Sequence, residues 1–461
     1  MKRMLIPALL AALLLAGCGQ AEPVPTEPQT VVVGGETYPA DASTLDLRDK
    51  EITVEEYEQL RLALPGCEIL WKLPFQGLRV GMETRQLTVE TMTLEGLANL
   101  AYLEKLETIH IHSCPGMEVL DTLAEVVPDC AVTYNVALAG RQVPWNATSL
   151  TLTAGDLKAA MEAFAVLPGL RRVTVTDTVT DLDTMLVLRA AYPEITFRFT
   201  FLLFDRELSS DAEEVELAKI KMESVEEIER VLPLFNGLQK LVLLDTGLPS
   251  EELDALWKRH PETRVVWNVR FGYTTLRTDR TTLMPMIFGY DGLEEDLALH
   301  DKDLTELKYL VDLVVLDLGH HDMTNIEFVR TMKNLKYLIV ADTPVVDLSP
   351  LAELKNLEYL EVFMNGLSDL SPLAECTGLV DINLSYNRIT DITPLLALPN
   401  LENIWLAGNH LLAEEQRQLI VDTFPEARIV FWSKSSTGMG WRNLPRYYEQ
   451  RDLLGMAYME G

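Results

Sequence analysis

Residues 384–395 read LSYNRITDITPL, and residues 362–373 read VFMNGLSDLSPL. Leucines that open such copies stand at Leu313, Leu335, Leu357, Leu379 and Leu401, each 22 residues after the last. A fixed period of this length marks a stacked array, in which each short unit buries its apolar face only against the units beside it. This constrains the fold more than length or composition, because 461 residues would otherwise allow two or three ordinary domains.

Inside each copy the fourth and sixth positions are apolar: Leu316/Leu318, Leu338/Val340, Leu360/Val362, Ile382/Leu384 and Ile404/Leu406. Alternation with a period of two predicts a short strand with one buried face. The ninth position carries His321, Thr343, Asn365, Asn387 and Asn409. An asparagine there can satisfy backbone groups of neighbouring turns that would otherwise be buried without partners. Pro350, Pro372 and Pro394 then open the returning arm, each followed by a leucine.

These residues resemble bacterial leucine-rich repeats of the internalin type, most closely over 294–409, about a quarter of the chain. The resemblance implies an α/β solenoid with a parallel sheet on its concave face. Weaker copies precede it: TLDLRDKEI (44–52), QLTVETMTL (86–94), TIHIHSCPGM (108–117), SLTLTAGDL (149–157), RVTVTDTVT (172–180), LAKIKMESV (217–225) and KLVLLDTGL (240–248). A second marker recurs at Pro65, Pro128, Pro193, Pro261 and Pro425, each after an amphipathic stretch such as EELDALWKRH and before a strand such as VVWNVRF. The first four are 63, 65 and 68 residues apart, room for three turns each. The expectation is one solenoid from about Leu45 to Trp432, degenerate over 42–271 with three-turn superrepeats and regular over 294–432. The intervening 272–293 reads as an interruption or seam. Residues 433–461 leave the pattern and read as a cap or tail.

The N-terminus, MKRMLIPALLAALLLAGCGQ, carries Lys2, Arg3 and an apolar run too short to span a bilayer. It reads as an export signal, residues 1–17. Leu15 to Cys18 resembles the lipobox of bacterial lipoproteins, which implies lipidation at Cys18 and an extracytoplasmic, membrane-anchored protein. Residues 18–41 are then the lipidated cysteine and a Pro-rich tether. A net charge of −31 argues against nucleic acid and anionic lipid headgroups as partners and favours cationic or neutral ones.

The sequence holds no GxSxG, HExxH, SxxK, Walker-type or calcium-loop line. No catalytic residue, metal ligand or cofactor is assigned, and a non-enzymatic protein is expected. His110 and His112 alternate on a strand and read as solvated side chains. His300, Asp301, Asp317 and His320 form a second weak cluster without a clear ligand set. Cys67, Cys114, Cys130 and Cys376 are widely spaced and make no disulfide framework; Cys114 and Cys376 read as core residues, while Cys67 and Cys130 take equivalent places in the proline marker, about three turns apart.

Strand residues flanking the buried pair point away from the core. They give a candidate ligand-binding set of Tyr337, Tyr359, Glu361, Phe363, Asp381, Asn383, Tyr386 and Trp405, expected to be exposed on the concave face. Aromatics beside a few polar groups are what interfaces select. They suit a protein or a polysaccharide, and the internalin-like resemblance tilts toward protein. Packing that merely stabilises the sheet is the plainer alternative. The leading expectation is a lipid-anchored binding protein acting through this face. Its rivals are an envelope scaffold without a dedicated ligand, and an enzyme with its site in 272–292 or the C-terminal tail. In that tail Trp441, Arg442, Arg446 and Tyr447 are candidate binding residues.

Overall fold

The computed structural model describes residues 29–285 and 298–456. The signal, Cys18 and the part of the expected interruption from 286 to 293 lie outside them. The chain divides into two compact units at Thr174.

In the first unit, strands Gln86–Val89, Thr108–Ile111 and Ala131–Leu138 run parallel, with Leu87, Ile109 and Val132 in register. Leu87, Val89, Ile109 and Ile111 are buried while the residues between them are more exposed, as the alternation requires. Thr44–Asp46 pairs in parallel with Glu68–Leu70. Helices Val54–Ala63, Met117–Val126 and Leu157–Ala165 form returning arms. The first is started by a capping box between Thr53 and Glu56, which satisfies two backbone donors at its open end.

In the second unit, after helix Leu182–Ala191 and the short strands between 196 and 209, strands Glu214–Ala218, Lys240–Leu244 and Arg264–Phe271 run in parallel register. It then builds a parallel sheet of seven strands: Thr282–Leu283, Val315–Asp317, Tyr337–Ile339, Tyr359–Glu361, Asp381–Asn383, Asn403–Trp405 and Arg428–Val430. Leu316, Leu338, Leu360, Ile382, Ile404 and Ile429 are in register, and the first five are fully buried. The returning arms are short 3-10 turns such as Ser349–Glu353, Ser371–Glu375 and Thr393–Ala397, each opened by its proline. Proline suits that place because the first turn of a helix leaves its N–H groups unbonded in any case. Together these features form a leucine-rich-repeat fold.

The asparagine ladder does the work expected of it. Asn387 Nδ2 donates to the carbonyls of Val362 and Leu384, both at 2.9 Å, and its Oδ1 accepts from the amides of Asn365 and Leu367 at 3.1 and 3.0 Å. Asn365 and Asn409 repeat the pattern one turn either side.

Tight antiparallel hairpins were not foreseen. Val33↔Glu36, Phe75↔Leu78, Leu138↔Arg141, Leu203↔Arg206 and Phe271↔Thr274 each close a two-residue loop. Both loop residues have positive φ at Gly34–Gly35, Gln76–Gly77, Ala139–Gly140 and Phe204–Asp205, the twist that a two-residue hairpin favours. The described part of the expected interruption or seam, 272–285, carries regular elements. Thr274–Arg277 completes the fifth hairpin, and Thr282–Leu283 begins the seven-stranded sheet. No helix among the described residues is long and apolar enough to cross a membrane.

Candidate functional site

The outward face of the seven-stranded sheet is closed by the chain's own C-terminal segment. Residues 433–456 turn back beside the last strand and cross the sheet, ending in helix Pro445–Leu453. Tyr337, Tyr359, Phe363 and Trp405 pack in one apolar cluster with Trp441 and Leu444, and Tyr447 and Leu454 lean against it.

The expectation of an exposed face is therefore corrected. Tyr359, Asp381, Asn383 and Trp405 are fully buried, and Tyr337, Glu361 and Phe363 nearly so. Tyr386 is half-buried. Alternation placed all these side chains on the right side of the sheet, but it carries no information on what covers that side.

The contacts fall into three groups. At the start of the segment, side chains of the face hold main-chain carbonyls. Tyr386 Oη donates to Ser433 O, Asn383 Nδ2 to Ser436 O and Trp405 Nε1 to Gly438 O, each at 2.9 Å. The Arg428 guanidinium donates to Met439 O. In the middle, Trp441 is fully buried, its ring 5.2 Å from Tyr359 and 5.1 Å from Trp405. Gly440 precedes it with φ of +80°, a conformation that costs glycine little, and so turns the indole down into the sheet.

Further along, charges meet. Arg446 lies 3.6 Å from Asp381, 3.6 Å from Glu402 and 3.8 Å from Glu358. Tyr337 Oη donates to Glu449 at 2.6 Å. The Tyr359 hydroxyl donates to Glu361 beneath the indole. Burial pushes the Glu361 carboxyl above its ordinary value, with the Tyr359 hydroxyl and the Trp441 indole drawing it back. Burial also raises the Asp381 carboxyl, opposed by the Asn403 amide and the charge of Arg446. Desolvation by the cover moves Tyr359 well above the usual phenol range.

Of the tail candidates, Trp441, Arg446 and Tyr447 meet the sheet, while Arg442 is exposed. Reading the sequence missed Glu358, Glu402, Arg428, Gly438 and Glu449. Glu358, Glu402 and Arg428 sit at the margins of strands, where no apolar alternation draws attention to them.

The other candidates are not brought together. His110 bonds Thr133 Oγ1 at 2.9 Å and lies against His112. His320 pairs with Asp342, and Asp301 holds the amides of Thr324 and Asn325. No group of three or more metal-ligating side chains occurs among the described residues. Cys67, Cys114, Cys130 and Cys376 are free thiols. Burial pushes Cys376 up to about 12, far from a reactive thiolate.

Comparison with known proteins matches residues 377–415 to the family described as Leucine Rich repeats (2 copies). No curated protein matches the chain. Among solved structures, an internalin (inlF) from Listeria monocytogenes is 15% identical, covering 87% of this chain and 84% of that one, with a TM-score of 0.27. An internalin C2 of the same organism is 24% identical over 54% of this chain and 81% of its own, with a TM-score of 0.21. A leucine-rich-repeat protein of Leptospira interrogans is 16% identical over 85% and 96%, with a TM-score of 0.29.

Proposed function

We propose that this is a lipid-anchored, extracytoplasmic, non-enzymatic binding protein whose regular repeats grip a polypeptide on the concave face. The observation that carries the reading is the grip on its own tail. Four face side chains bond the main-chain carbonyls of Ser433, Ser436, Gly438 and Met439, so a segment of turns is held by its backbone, largely independently of its side chains. Buried aromatic anchors beside these polar contacts have the layout of an interface rather than of a repeat core, where aliphatic side chains suffice. Anchoring rests on the N-terminal sequence, with Cys18 as the lipidated residue.

Two measurements test the reading. Fatty-acid labelling and membrane fractionation of the full chain should follow Cys18, and Cys18→Ala should abolish labelling and release the protein. A full-chain Trp441→Ala, Arg446→Ala variant should retain a polypeptide from secreted and envelope fractions, and adding Asn383→Ala should lose it. Labelling that persists in Cys18→Ala, or retention indifferent to Asn383, contradicts the reading.

A second reading is favoured by the completeness of the seal over Trp441. A face closed permanently would make the protein an envelope scaffold that works through its acidic outer surface, with residues 433–456 as part of its core.

A further inference from the structure

We infer that the concave face selects a cationic polypeptide carrying a tryptophan followed five residues later by an arginine, and that residues 433–454 occupy this site in cis until such a partner displaces them. The inference rests on the binding reading above and names its ligand class and its regulation.

The face presents three subsites in a row. A polar row of Tyr386, Asn383, Trp405 and Arg428 takes the main-chain carbonyls of a segment folded in turns. An aromatic slot between Tyr359 and Trp405 takes the Trp441 indole. An acidic corner of Glu358, Asp381 and Glu402 takes the Arg446 guanidinium. Glu358 is shared with Lys336 at 2.9 Å, so three carboxylates meet two cations and acid remains in excess. A more basic occupant would therefore be held more strongly than the tail, which brings Glu449 along with it. The net charge of −31 draws such partners to the protein from a distance.

Several features suit an occupant that can leave. The segment joins the last strand through SKSSTGMG, residues 433–440, which is held by main-chain bonds and buries none of its own side chains fully. The polar atoms of Asp381, Asn383 and Glu361 are costly to bury in a permanent core, yet they are natural in a groove that alternates between solvent and ligand. The seven-stranded sheet is complete without the tail, because each strand bonds only to its neighbours.

The test uses a labelled synthetic peptide of residues 433–454 and reads its binding by fluorescence anisotropy to the full chain and to the full-chain Trp441→Ala, Arg446→Ala variant. A tethered competitor acts at an effective concentration on the order of millimolar. The variant is therefore expected to bind the peptide at least tenfold more tightly than the parent, and a peptide with the same two residues replaced should lose that binding. Cleavage by a protease within 433–440 reports whether the tail has left. Faster cleavage in the variant without peptide binding overturns the ligand class and leaves the gripping face in place. Unchanged cleavage with no peptide binding makes the tail a fixed part of the core, and the binding reading falls with it. A parent chain that runs as a dimer with exchanged tails would make a second copy the occupant and overturn the partner reading.

Discussion

Trp441 is fully buried against Tyr359, their rings 5.2 Å apart, although 82 positions separate them in the chain. Removing this indole takes away the central contact between tail and sheet. Trp→Ala at a buried site typically costs about 3–5 kcal/mol. Here the loss should be local. In Trp441→Ala, protease cleavage within 433–440 should rise sharply, while urea unfolding of the repeats, followed by amide exchange at Leu338 and Leu360, should change little.

Docking of the tail should depend on pH. Glu361 faces Tyr359, Trp441, Asp317 and Arg442, and burial raises its carboxyl above the ordinary 4.5. Asp381, facing Asn403, Arg446 and Glu402, is raised above 3.8. A raised acid binds its proton more readily in the docked state, so its contribution to docking is complete below the ordinary value and is lost as pH rises through the raised one. Protection of 433–440 from cleavage should therefore fall from pH 4.5 upward, and Glu361→Gln should flatten the profile and tighten docking at neutral pH.

Gly408 has φ of +78°, and a Cβ there would stand 2.7 Å from the Tyr386 ring. Gly408→Ala adds left-handed backbone strain of about 1–3 kcal/mol and pushes aside the tyrosine that bonds Ser433. Melting should fall by several degrees, and the tail should loosen with it. A Tm equal to the parent's would show that the turn accommodates a methyl group.

Asn387→Ala should be among the most damaging single changes in the repeats. It strips partners from the Val362 carbonyl and from the amides of Asn365 and Leu367, and leaves the Leu384 carbonyl with the Asn409 amide alone. Each buried polar group left unpaired costs about 1–3 kcal/mol. Urea denaturation should show a loss of at least about 3 kcal/mol on that scale. Asn387→Asp should do no better, since a carboxylate cannot donate to the two carbonyls.

The repeat was legible because its determinants are local. Leu316 to Ile404 recur at a fixed interval, and the asparagine that closes the turn recurs with them in three of the five copies, Asn365, Asn387 and Asn409. The hairpins left a signal that went unused: VGGETY, FQGLRV, LAGRQV, LFDREL and FGYTTL all place turn-permissive residues between a buried position and a short alternating run. Their chemistry varies from Gly-Gly to Phe-Asp, so no single motif unites them. The cover was the least legible part. Period-two alternation assigns Tyr337, Tyr359 and Trp405 to one side of the sheet, whereas their burial depends on residues about 30 to 110 positions away. The tail offered one cue, an aromatic and basic composition opposite an acidic, aromatic face.

Amide exchange in the tail tests the account most directly. The amides of Asn443, Leu444 and Tyr447 bond Gly440, Trp441 and Leu444 within the docked segment. In the full chain they should exchange slowly, and saturating peptide of residues 433–454 should speed them as it takes the tail's place. Protection unmoved at saturating peptide would contradict the account and make the segment a permanent part of the fold.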